Sequence, residues 1–180
     1  FDIYVYNNWI NDVAWMTRGS VALYIGVGRY VEVHHNTIKN TSYSAMSVGW
    51  SWGYASWSFG DNWHLYQVDI HHNYYSGFMS DQADGGGIYT LGGNAENEEH
   101  TLFNFMHDNY MVITEETGKH NESKKRWFMG YYHDGSSSNW DVSHSVVLNT
   151  EQMPIFSQPH PGALSYHNHF TDIWSNTTPH

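Results

Sequence analysis

The chain contains no cysteine, which excludes a disulfide framework, a thiolate zinc site and a thiol nucleophile together. The absence says little about compartment, because a chain of 180 residues can bury a core large enough to stand without cross-links. Basic residues are scarce as well: Lys and Arg total 7 against 18 Asp and Glu, for a formal net charge of −11. A phosphate-backbone binder needs a basic stripe from which counterions are released, so nucleic acid is excluded as a partner. No apolar run approaches the roughly 20 residues of a membrane-spanning helix.

In place of charge the chain has aromatics, which make up 17% of it with 9 Trp and 14 Tyr. Disorder follows from the opposite composition, so this chain folds, and its length suits one domain over residues 1–180. It opens on Phe1-Asp2-Ile3-Tyr4-Val5-Tyr6, alternating like a strand already under way, and reads as a processed chain or a piece of a longer one. Three N-glycosylation sequons, at Asn40, Asn121 and Asn176, fit an extracellular or secreted glycoprotein.

Internal repetition organises the rest. Six segments share the form x-x-Asn-apolar-apolar-x-polar, with Asn8, Asn36, Asn73, Asn104 and Asn168 at the third position and Ser145 as the exception. Between them lie short strand-like runs ending near Gly or Asp: Val21–Gly26, Ala45–Gly49, Gly87–Gly92 and Met129–Gly135. Short β-rich runs with uneven spacing predict an all-β chain, a right-handed parallel β-helix of about six coils, with one Asn per coil hydrogen-bonded up and down a ladder at the bend. A sandwich would show hairpin turns such as Asn-Gly, and a helical bundle a long 3.6-residue period; neither occurs. The stretch from Thr114 to Arg126 holds four of the seven basic residues and reads as an excursion loop. Neither terminus looks like a cap, so such a solenoid is expected to be a fragment or to stack end to end.

Three stretches exceed what a structural coil needs. Trp50-Ser51-Trp52-Gly53 and the residues after it put flat aromatic faces where sugar rings could stack, or else form a satellite cluster under a loop. Asp84-Gly85-Gly86-Gly87-Ile88-Tyr89-Thr90-Leu91-Gly92 leaves backbone uncovered after an acid, so a ligand or strand can approach closely. His133-Asp134-Gly135, followed by Ser136 to Trp140, places a second carboxylate at the end of an equivalent strand. Two carboxylates in an aromatic-walled groove are what glycoside hydrolysis requires, one as acid and one as base or nucleophile.

With these three motifs in order, the sequence resembles the right-handed parallel β-helix proteins of the carbohydrate-active group, especially the glycoside hydrolases grouped with α-fucosidases and xylan-cleaving enzymes. The resemblance implies Asp84 and Asp134 as the catalytic pair acting on a polysaccharide or glycan. Trp50, Trp52, Tyr89 and Trp140 would serve as sugar platforms, and His133 would orient a carboxylate or contact substrate. Related sequences often carry an acid after the second Asp, whereas Gly135 follows Asp134 here. Aligning Gly87–Gly92 with Gly130–Gly135 sets Asp134 level with Leu91, and a straight strand would then hold Asp84 roughly 20 Å away. A bend at the glycines would close that gap; otherwise Glu96, Glu98 or Glu99 would be the partner.

No cofactor is expected. His34-His35 and His71-His72 are adjacent, and side chains adjacent in a strand point to opposite faces, so they are expected not to converge on a metal. The acidic surface could take Ca²⁺ through carboxylates and carbonyls, but no EF-hand loop or Gly-Asp nonapeptide repeat supports it. The rival to the hydrolase is a non-catalytic structural or glycan-binding solenoid assembling into a filament or surface layer. A lyase would want a basic residue in one of the three motifs, and none is there.

Overall fold

The computed structural model describes residues 2–50, 65–92, 104–120, 127–135, 137–150, 153–158 and 168–176. These form fifteen strands: β1 (Ile3–Tyr6), β2 (Trp9–Val13), β3 (Leu23–Ile25), β4 (Gly28–His34), β5 (Thr37–Thr41), β6 (Met46–Gly49), β7 (Leu65–His71), β8 (Tyr74–Ser76), β9 (Gly85–Leu91), β10 (Asn104–His107), β11 (Tyr110–Val112), β12 (Phe128–His133), β13 (Trp140–Leu148), β14 (Ile155–Ser157) and β15 (Asn168–Ser175). Every strand pair among the described residues is parallel.

The all-β expectation holds, but the six-coil right-handed solenoid does not. The strands divide between a ten-stranded curled sheet, in the order β1-β4-β7-β10-β13-β11-β8-β5-β2 with β15 also on β13, and a five-stranded sheet, β14-β12-β9-β6-β3. The long strand β13 joins the two rows of the curled sheet: its first half pairs β10 and its second half β11. The Asn count fails for a physical reason. The ladder runs through Asn8, Asn36, Asn73, Asn109 and Ser145, each backbone N–H donating to the next side-chain oxygen at 3.0–3.2 Å. Asn104 and Asn168 sit at a different corner, where their Oδ1 atoms accept from the N–H of Val68 and Trp140.

The ladder follows from the bend beside it. Asn7, His35, His72, Asp108, His144 and Asp172 all have φ between 46° and 56°, a left-handed conformation that Asn, Asp and His tolerate better than other side chains. One such residue shifts the alternation of side chains by one, so in β13 burial changes phase at His144. The strand thereby wraps around the core while its hydrogen bonds continue.

Side chains of equal register stack into three walls. Val33, Ile70, Met106 and Val142 form one, Ile38, Tyr75, Met111 and Val147 the second, and Met46, Ile88 and Tyr131 the third, all of them buried. Each such side chain contributes about 1.5–3 kcal/mol by leaving water. The curled sheet encloses two sides of this core and the five-stranded sheet the third. The excursion segment begins as a pair of turns, Thr117 N–H to Thr114 C=O and Lys119 N–H to Glu116 C=O, and docks through Gly118 and His120 onto Met79 and Ser80. Its remainder, 121–126, lies outside the described residues.

Candidate functional site

The five-stranded sheet turns one face to the core and the other outward. On the outward face Ser47, Tyr89, Tyr132 and Phe156 share a register across β6, β9, β12 and β14. The alignment of Gly87–Gly92 with Gly130–Gly135 is the register observed, and Asp134 therefore follows β12 at the level of Leu91. Strand β12 slips phase at Gly130: Met129 and Tyr132 both join the outer cluster while Tyr131 is in the core. Glycine is required there, because a Cβ would meet Val147 Cγ1 at 2.5 Å and Pro154 O at 3.0 Å.

The two candidate carboxylates are connected through tyrosines. Tyr89 donates its hydroxyl to Asp134 Oδ2 at 2.5 Å, and Tyr132 donates its own to Asp84 Oδ1. Each tyrosine thus reaches the acid that flanks the neighbouring strand, and the two rings stack with centroids 5.3 Å apart. Asp134 also accepts from the Gly135 N–H at 2.7 Å. Asp84 has a left-handed backbone, φ 70°, and its carbonyl accepts the Tyr43 hydroxyl at 2.9 Å.

Burial, followed by the charges of Asp84 and then Asp134, pushes the Tyr43 hydroxyl up to about 12. Burial, the hydrogen bond to Asp84 and then both acids raise Tyr132 still further. Both phenols therefore stay protonated as donors at neutral pH. The two carboxylates are linked through the stacked pair Tyr89 and Tyr132. The separation expected along a straight strand is spanned by stacked tyrosine rings.

Beside this group opens a cleft of about 700 Å³, lined by Tyr24, Tyr43, Ser47, Trp50, Tyr89 and Leu91 together with Gly19–Val21. Trp50 is 45% exposed there. Gly49, which directs it, has φ 108°, and a Cβ would lie 1.9 Å from Leu91 O. The chemistry available is that of two carboxyl groups, each held by a phenol donor, at the rim of an aromatic cleft.

The remaining expected site residues fall elsewhere. Trp140 is 1% exposed in the main core, so it offers no face to a ligand in solution. His133 is equally buried; its Nδ1 pairs with Thr90 Oγ1 at 2.9 Å, and burial depresses it to about 3. Trp52, Glu96, Glu98, Glu99 and Asn121 lie outside the described residues. Among the sequons, Asn40 Nδ2 donates to Asn11 Oδ1 and Asn176 Nδ2 to Asn149 Oδ1, both at 3.0 Å. Tyr24, Tyr43 and Tyr132 were not singled out by the sequence, although Tyr132 aligns with Tyr89 in the paired glycine-flanked runs.

The expectation that adjacent histidines diverge is corrected by the backbone. His35 and His72 are left-handed bend residues, so each folds back onto its neighbour. His34 Nδ1 meets His35 Nδ1 at 2.8 Å, and His71 Nδ1 meets His72 Nδ1 at 2.8 Å.

No protein-family model matches the chain, and no curated protein matches it. A solved structure described as a glycoside hydrolase superposes on 94% of this chain with a TM-score of 0.68 and 19% sequence identity. The chain spans about a quarter of that protein, 25% of its length. The likeness shows a shared fold with a glycoside hydrolase; it does not single out the α-fucosidase and xylan-cleaving group. No helix among the described residues is long and apolar enough to cross a membrane.

Proposed function

We propose that the chain processes glycans outside the cell, binding a sugar in the cleft between Tyr43, Trp50 and Tyr89 and hydrolysing a glycosidic bond with Asp84 and Asp134. The observation that carries this reading is the crossed pair of bonds, Tyr132 to Asp84 and Tyr89 to Asp134, beside an aromatic-lined cleft. Flat rings suit the apolar C–H face of a pyranose. Phenol donors hold the two carboxylates in place beside the cleft. The fold shared with a glycoside hydrolase supports the substrate class. Sequons at Asn40, Asn121 and Asn176 support an extracellular setting.

Release of reducing ends from a panel of plant and microbial oligosaccharides tests the reading. The expected result is turnover of at least one linkage, reduced about 10²–10⁴-fold by Asp134→Asn, the range by which a positioned acid or base contributes. Glycan binding without turnover, lost in Trp50→Ala and retained in Asp134→Asn, would replace the hydrolase by a non-catalytic glycan binder. Absence of both binding and turnover would overturn the proposal.

A further inference from the structure

The outer corner of the curled sheet carries an ordered array of imidazoles and carboxylates that the cleft does not use. His34, His71 and His107 share one register and stack ring on ring, with centroids 5.1 and 4.9 Å apart. His35 and His72 form a second stack at 5.1 Å on the bend itself. Asp108 takes the same bend position one layer on, with φ 51°. One donor atom from each of His72, His107 and Asp108 lies within 4.8 Å of the other two.

Contacts on the far side of the rings set which nitrogen faces the corner. His71 Nε2 bonds Glu32 Oε1 at 3.1 Å, and His107 Nε2 lies 3.1 Å from Asp69 Oδ1. A carboxylate beside Nε2, hydrogen-bonded in His71 and close by in His107, turns Nδ1 toward the corner, the outer-sphere arrangement that orients metal-binding histidines. Nδ1 of His71 then faces His72 Nδ1 at 2.8 Å, and Nδ1 of His107 faces Asp108 Oδ2 at 2.7 Å. Each pair is bridged by one ring N–H proton or, in its place, by a metal ion.

We propose that His72, His107 and Asp108 form a binding site for a late first-row divalent cation of the Zn²⁺ type, with water completing its coordination. Imidazole with one carboxylate is the donor set of Zn²⁺, Ni²⁺ and Cu²⁺ and is a poor match for Ca²⁺ or Mg²⁺, which take oxygen. Bond lengths of about 2.0–2.1 Å in a tetrahedral zinc site place neighbouring donors roughly 3.3 Å apart. The close pairs must widen slightly and the longer separations shorten, which His72 and Asp108 can do because both are exposed. The His34–His35 pair lacks the carboxylate: its bend neighbour one layer on is His72, not an acid. The cation is therefore assigned to His72, His107 and Asp108.

The test is calorimetric titration of the chelator-treated chain with ZnCl₂, alongside thermal unfolding with and without the metal. Saturable binding at one site and a rise in Tm are expected, because a ligand that binds only the folded state stabilises it. His72→Ala and Asp108→Asn, both at exposed positions, should each lower the affinity by about tenfold or more with unchanged far-ultraviolet circular dichroism. His35→Ala should leave the affinity as it was. Absence of saturable binding would overturn the proposal, as would affinity unchanged in correctly folded His72→Ala and Asp108→Asn, or lost in His35→Ala instead.

Discussion

Tyr89 on β9 donates its hydroxyl to Asp134 beyond β12 at 2.5 Å, while Tyr132, its register partner on β12, donates to Asp84 ahead of β9. The crossing makes the two acids depend on both strands at once. Displacing one strand by a residue would break both bonds, so the site is as well ordered as the sheet that carries it.

Removing one hydroxyl isolates this relationship. Tyr89→Phe keeps the stacked ring and deletes only the donor to Asp134. A hydrogen bond to a charged group is worth about 1.5–3 kcal/mol, and part of that is recovered here from water because Asp134 is only half-buried. The expected outcome is a stability loss nearer 1 kcal/mol in urea unfolding, with a larger fall in glycan turnover, since Asp134 loses its orientation. A fall in stability with turnover untouched would place Tyr89 outside the reaction.

The carboxamide ladder predicts a graded series. Asn73 is buried and donates through Nδ2 to Val33 O, His71 O and Asn109 Oδ1, while its own Oδ1 accepts from Asn36. Asn73→Ala strands several buried backbone groups and should cost about 3 kcal/mol or more, at 1–3 kcal/mol for each unsatisfied group. Asn8 lies at the exposed end of the same ladder, and Asn8→Ala should cost less than about 1 kcal/mol because water replaces its partners. Chemical denaturation of the two variants side by side measures the contrast.

His133 makes stability fall with acid. Burial holds it at about 3 in the folded chain, below the value of about 6.5 it takes when unfolded. Between those limits the unfolded chain binds a proton that the native chain does not. Its contribution to stability is complete above about pH 6.5, declines by at most about 1.4 kcal/mol per pH unit as the pH falls, and levels off below about pH 3. In His133→Asn the slope between pH 6.5 and 5 should be shallower than in the wild type, as read from urea midpoints. Equal slopes would mean that His133 is hydrated when folded.

Four strands of the five-stranded sheet were legible in the sequence because they carry their own punctuation, whereas β14 fell in none of the strand-like runs. The runs Ala45–Gly49, Gly87–Gly92 and Met129–Gly135 contain β6, most of β9 and most of β12, and the shared glycines fixed their register. The ladder was only half legible. Asn is abundant, and Asn104 fits the repeat as well as Asn109 does; what separates them is the bend at Asp108, φ 51°, directly before Asn109. The same invisible bend made His71 and His72 read as opposed when they touch. Trp140 shows the limit of reading aromatics as platforms, since a Trp at a strand start packs into the core as readily as it faces a groove. Tyr43 carries no sequence signal: its role comes from the approach of Asp84, 41 residues further along the chain.

The most direct test of the account is whether Asp84 and Asp134 act as one unit on a bound glycan. Turnover is compared among the wild type, Asp84→Asn, Asp134→Asn and the double variant. Catalytic groups that act together are strongly non-additive, so the double variant should be no slower than the slower single variant by more than about threefold. Single-variant losses that multiply in the double variant, or either single variant turning over at the wild-type rate, would contradict a catalytic pair.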